Sequence, residues 1–260
     1  MSFRALLFII FLNIPLFLFC QKEASPPFEK VFIKAFQNKS HNFNNKHNFQ
    51  KAKSFFLAQK WDSTLVYSMK QLSISTKNTE LNNYCHYIRG YSFYRKNLLK
   101  ESHKEFTSIS SKFEFYATVN KNLGKLAFKN SEYKKAISYF IYYQKNVRLE
   151  FIEVNEGTIE QNIGLCYLKL KQFNKAELHF IKSAKIQEVN KDTILLTGAY
   201  TNIANLYYEQ YKDDLAIPYF KKAYELSKKT KNFKIKQKAA KNMAAVEENR
   251  KDYKLAIIYR

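Results

Sequence analysis

The tripeptide Asn122-Leu123-Gly124 returns as Asn162-Ile163-Gly164, Asn202-Ile203-Ala204 and Asn242-Met243-Ala244, each copy 40 residues after the last. A stride held over four copies means that the chain builds one supersecondary unit repeatedly, and that each unit is stabilised mainly by its neighbours. The rest of the unit keeps the same register. Twelve residues beyond each small residue stands an alanine: Ala136, Ala176, Ala216 and Ala256. Four residues further on come Phe140, Phe180 and Phe220, with Arg260 breaking the series. Between them lie Tyr133, Phe173 and Tyr253, with Asp213 as the exception.

Two earlier units are written more weakly. Gly90, Phe93, Leu99, Ser102 and Phe106 fit the pattern 34 residues before the Gly124 unit, and Ala52, Phe55, Trp61 and Thr64 fit it 38 residues before that. The whole chain has only 5 Gly and 4 Pro among 260 residues, too few turn formers for an all-β fold. Paired helices explain the pattern. A small residue on the first helix lets the second approach closely, and the alanine on the second accepts the facing aromatic, ridge into groove. Pro218 follows Asp213-Asp214, which reads as the N-cap of a second helix, where a proline costs little.

These residues resemble the tetratricopeptide repeat family. Tyr167 and Tyr207 fill its aromatic slot after the small residue, and Ala127 and Glu247 fill it less well. The period exceeds the family's usual one and is similar to that of its longer-helix variants. The resemblance implies an all-α, right-handed superhelical solenoid of antiparallel helix pairs, of about six repeats with the last incomplete. It also implies a non-enzymatic module whose first helices line a concave surface for a protein or peptide.

Mapped onto this register, that surface offers two features. The first is a ladder of Asn122, Asn162, Asn202 and Asn242. An asparagine amide both donates and accepts, so it pairs with a peptide group as another backbone would. Helices packed ~8–10 Å apart would bring one amide to every third residue or so of an extended ligand rising ~3.3 Å per residue. Long-repeat relatives use asparagine this way. The competing role is purely structural, with each amide bonded to a neighbouring helix. The second feature is Tyr84, Tyr87, Tyr91 and Tyr94, whose spacing places them on one helical face, as groove lining or as core. Arg89 stands there in a slot that should be apolar. Lys121, Lys125 and Lys241 flank the groove and suit a ligand carboxylate, or simply form a solvated face.

The N-terminus reads as an address. Arg4 precedes an apolar run from Ala5 to Cys20, broken by Asn13 and Pro15 and ended by Gln21-Lys22-Glu23. That is the pattern of a secretory signal peptide, and the run is short for a spanning helix. Simple cleavage, lipidation at Cys20 after cleavage, and an uncleaved membrane anchor all fit, and each puts the rest of a bacterial chain outside the cytoplasm. The organisation expected is a signal peptide at 1–20, an extension with a short capping helix (Phe28 to Gln37) at 21–41, and repeats at 42–260. Asn38 to Asn48 reads as a loose connection.

The net charge is +22, from 44 Lys+Arg against 22 Asp+Glu. Only six of the 44 are arginine. Readers of base edges favour arginine for bidentate contacts, so nucleic acid is not expected as a partner. Cys85 and Cys166 fall in different repeats, and the five histidines show no metal spacing. No cofactor, metal or small-molecule substrate is expected, and no nucleophile–base pair or phosphate loop argues for an enzyme. The last unit stops two turns into its second helix without a polar cap, which suggests truncation. Exported arrays of this kind resemble sensor regions of histidine kinases and helix-turn-helix regulators. The alternative is a structural envelope scaffold, or a lipoprotein, docking a fixed protein partner.

Overall fold

The computed structural model describes residues 27–75, 79–147 and 156–259. The expected signal segment 1–20 and Arg260 lie outside the described residues. Among those described, every regular element is helical. Helix α1 (Pro27–Lys39) leads through a 3-10 turn (Ser40–Phe43) into six helix pairs. These are α2 (His47–Leu57) with α3 (Trp61–Ile74), α4 (Thr79–Arg95) with α5 (Leu99–Thr107), and α6 (Tyr116–Lys129) with α7 (Tyr133–Asn146). Then follow α8 (Glu156–Lys169) with α9 (Phe173–Val189), α10 (Thr193–Glu209) with α11 (Asp213–Lys228), and α12 (Phe233–Asn249) with the short α13 (Tyr253–Ile258). Each first helix packs on its own second helix, each second helix on the next first helix, and successive first helices also touch, as between α8, α10 and α12. The result is a solenoid.

In three of the pairs the closing contact is the one the register implies. A β-carbon added to Gly164 would lie 2.6 Å from the Phe180 ring, one on Gly124 2.7 Å from Phe140, and one on Gly90 2.9 Å from Phe106. The bare glycine backbone is therefore the seat of the aromatic ring. Beside it, the carbonyl of Ala176 comes within 3.3 Å of the same point at Gly164. Ala136, Ala176, Ala216 and Ala256 are all buried, as are Phe140, Phe180 and Phe220.

The period is also written in the backbone. Left-handed residues close the turn inside every pair, at Gln59, Asn97, Ser131, Lys171, Tyr211 and Lys251. In the fourth pair the Gln172 N–H reaches back to the Tyr167 carbonyl and the Lys171 N–H to that of Leu168, both at 2.9 Å. This doubled closure is the Schellman arrangement, which satisfies helix-end carbonyls that have no partner further along the helix. The same two bonds recur in the other five turns. Turns of one shape impose one helix–helix geometry, which is how a sequence stride becomes a spatial one.

Two expectations need correction. The cap of α11 is Lys212, with no side-chain bond, and Asp213 and Asp214 lie inside the first turn. There their charges favour the positive end of the helix dipole. Side-chain caps appear instead at Asp192, Asn232 and Asp252, which accept from the N–H groups of Leu195, Ile235 and Leu255. The Asn-rich stretch after Lys39 is not loose. Phe43 is buried, edge-on to Phe49 at 6.1 Å and 5.7 Å from Tyr84, and that apolar anchor orders the polar residues around it.

Candidate peptide-binding groove

The first helices run side by side, and their shared face is where the asparagines fall. Asn162, Asn202 and Asn242 hold equivalent positions on α8, α10 and α12, and their residual exposures are only 7%, 7% and 9%. Position explains this. Each stands two residues before the small packing residue, so it points away from its own second helix. Among the described residues the side chains of Asn162 and Asn202 make no hydrogen bond, and the amide nitrogen of Asn242 is buried without a partner. Buried amides normally find partners, because leaving one unmade costs about 1–3 kcal/mol. Of the three, only the Asn242 amide nitrogen is fully buried and unmatched, while the unbonded amides of Asn162 and Asn202 keep contact with solvent at the shared face.

Asn122 behaves differently. It is 5% exposed, and its amide donates to the Tyr87 hydroxyl at 3.4 Å. At that end of the row the amide ties α6 to α4, which is the structural role.

A cleft opens on the same face, lined by Gln161 and Leu165 of α8, Thr197, Thr201 and Asn202 of α10, and Lys238 of α12. Its volume is about 40 Å³, room for a water or two and far below the ~300–1,000 Å³ of a metabolite pocket. The Gln161 amide is also without a hydrogen bond among the described residues. Thr201 and Thr197 spend their hydroxyl protons on carbonyls one turn back, at 2.8 Å and 2.7 Å, which leaves their oxygens only as acceptors. Burial lowers the pKa of Lys238. Sequence reasoning passed over Gln161 and Thr201 although they share a slot, each one residue before its asparagine. Writing the repeats under one another makes that slot visible.

The tyrosine face divides. Tyr84 and Tyr87 are 0% and 2% exposed and cannot reach a ligand. Tyr84 meets Phe36 and Phe113 at 5.1 Å, both edge-on, and its hydroxyl bonds Glu114. Tyr87 lies 6.0 Å from Phe106. They are core because α1 and the loop carrying Phe113 and Phe115 cover them. Tyr91 packs on Phe56 and Trp61, and Tyr94 lies under the Lys129 ammonium at 4.6 Å, both half-buried. The lysines divide as well. Lys121 is not a rim charge but 4% exposed, its ammonium 5.3 Å from the Tyr143 ring centroid. Lys125 is half-buried, and Lys241 is exposed.

Behind the row, Glu160 fixes α8 to its neighbours. Its carboxylate, 2% exposed, receives bonds from Gln144 of α7 at 2.8 Å, and from His179 and Lys182 of α9, each at 2.6 Å. Burial pushes its pKa up, but the bonds from His179, Lys182 and Gln144, with the Lys182 charge, outweigh that and hold it down to about 2. Arg89, which read as a break in register, is explained by the same chemistry. It and His86 pair with Glu105 at 2.8 Å, and the bonds they donate overcome the cost of burying that carboxylate and lower its pKa.

One comparison bears on the family and another on the fold. Residues 161–190 and 197–230 match the family model of the tetratricopeptide repeat. Solved structures share the fold. RapI in its apo form is 14% identical over 88% of this chain and 72% of its own, with a TM-score of 0.70. PilF of Pseudomonas aeruginosa is 15% identical over 88% and 90%, with a TM-score of 0.59. PilW, a type IV pilus biogenesis factor, is 16% identical over 82% and 88%, with a TM-score of 0.63. No curated protein matches by sequence.

The Glu160 network makes a pH prediction. A carboxyl whose folded pKa is depressed adds stability that is present above its unfolded value, near 4.5, and is lost as pH falls through about 2. Glu160→Gln should destabilise the chain by ~1–3 kcal/mol at neutral pH. In urea titrations across pH 2 to 7, the gap between wild type and variant should close towards pH 2. A gap independent of pH would remove the carboxylate from the account.

Proposed function

We propose that this tetratricopeptide-repeat protein binds an extended segment of a partner protein along the face shared by α8, α10 and α12, and that it catalyses no reaction. The observation that carries this reading is the row of Asn162, Asn202 and Asn242, largely buried residues at one register position whose amides have hydrogen-bonding capacity left over. A peptide backbone supplies alternating donors and acceptors and so completes such groups without regard to side chain. Gln161 and the threonine oxygens extend the same chemistry, and the shallow cleft suits a chain laid across it better than an enclosed metabolite. Lys241 on the rim favours an acidic side chain or a carboxylate on the ligand.

The experiment is a selection of linear peptides on the wild-type protein. The peptides recovered are then measured against Asn162→Ala/Asn202→Ala. Affinity should fall by about tenfold or more, as expected for losing two hydrogen bonds of ~1 kcal/mol each, while helicity and melting stay unchanged. Peptides that bind both proteins equally would refute the groove. Loss of folding in the variant would assign the amides to repeat stacking instead.

The same proposal has the module act outside the cytoplasm. Arg4 and the apolar run to Cys20 support export, and a sensor role is the reading that fits an exported binding array. A reporter active only after export, fused after Asn45, should be active in bacteria. Activity only of a cytoplasmic reporter would contradict it.

A further inference from the structure

The N-terminal end of the solenoid holds a second polar site, unrelated to the groove. Residues 31–60 contain six lysines and no Asp or Glu. One of the six, Lys53 on α2, is only 8% exposed. A buried ammonium is normally matched by a carboxylate, because its desolvation is costly. Lys53 has no such partner among the described residues. It donates to Asn44 Oδ1 at 2.7 Å and weakly to Ser40 Oγ at 3.4 Å, with the Phe49 ring 5.7 Å away. An ammonium carries three protons, so one remains. Burial without a counter-charge lowers its pKa. The nearby Glu114 is engaged elsewhere, by Tyr84 and by Lys39 at 3.8 Å.

Lys53 forms the floor of an open cavity of about 540 Å³, whose other walls are Gln37, Asn38, His41, Asn42 and Asn44. The hydrogen bonds fix which atoms these walls present. Asn44 Oδ1 accepts from both Lys53 and Gln50. Its amide group must then be what meets His41 Nδ1 at 2.8 Å. An amide NH2 only donates, so Nδ1 accepts and the neutral ring carries its proton on Nε2. The cavity is thus lined by an ammonium, an imidazole donor and three further side-chain amides, with no carboxylate.

We propose that this cavity binds a phosphoryl oxyanion, as free phosphate or as a phosphate ester, with Lys53 and His41 as its principal donors. Tetrahedral oxygens accept from several convergent donors at once, and charge-assisted bonds of this kind are the strong ones. The anion supplies the charge that Lys53 lacks, and the flexible amides of Gln37, Asn38 and Asn42 close on the outer oxygens. Such a site needs no part of the groove and stands whether or not the groove binds a peptide.

The test is a titration of the full chain with inorganic phosphate at constant ionic strength, followed in amide NMR spectra, with chloride as the control anion. Saturable shifts confined to residues 37–53 are expected, weakened about tenfold or more in Lys53→Met and in His41→Leu, which removes the ring donor. Melting curves establish that each variant is folded. If Lys53→Met is not, His41→Leu at an exposed position carries the comparison. Shifts that fail to saturate, or that are equal in wild type and the folded variants, overturn the proposal. A second arm assigns the source. Glycerol phosphate is compared with phosphatidylcholine vesicles containing phosphatidic acid. A Lys53-dependent gain on vesicles alone assigns a lipid headgroup, and an equal response to the soluble ester assigns a free one.

Discussion

An aromatic ring resting on bare glycine backbone sets the geometry of this protein. With Phe180 seated on Gly164, the two helices of a pair lie as close as backbones allow, and the Ala176 carbonyl is brought to the same point. Dispersion and burial are greatest at that distance, and a single added methyl has nowhere to go. The same seat at Gly124 and Gly90 closes two further pairs in the same way, and left-handed turns of one type recur in all six. Neighbouring pairs then stack with a regular offset. Residues that share a slot in sequence come to share a line in space, and the asparagine row is a consequence of that line.

The fold was legible because its determinants are local and repeated. A small residue, an alanine and an aromatic at fixed offsets encode a helix pair, and repetition of the pair encodes the solenoid. What escaped was set by parts of the chain with no counterpart in the repeat. Periodicity puts Tyr84 and Tyr87 on one face but does not say that Phe36, Phe113 and Phe115 will cover it. Lys121 reads as a charge at the rim, yet its stem is long enough to turn its ammonium onto Tyr143. Arg89 reads as an error until Glu105, sixteen residues later, is placed beside it. The site was legible in the same measure. The row of amides followed from register, whereas the loss of Asn122 to Tyr87 required the coordinates.

Charge acts at two levels. The excess of lysine over acid is spread along the chain, but the carboxylates that are buried do specific jobs. Glu160 collects bonds from α7 and α9, between pairs and within one, and Glu105 collects two from α4 within its own pair, and so they lock orientation where apolar packing alone would allow sliding. The acid-free stretch at the N-terminal end is the opposite case, where the buried Lys53 meets only neutral acceptors and no carboxylate among the described residues.

The central claim is that ring and glycine are interdependent, and a double-mutant cycle on Gly164→Ala and Phe180→Leu measures it directly. In urea unfolding, Gly164→Ala alone should cost ~1–3 kcal/mol through overpacking. In the Phe180→Leu background it should cost much less, leaving a coupling of about 1 kcal/mol or more. Strictly additive effects would mean that the ring does not rest on that backbone, and the common geometry of the pairs would need another cause.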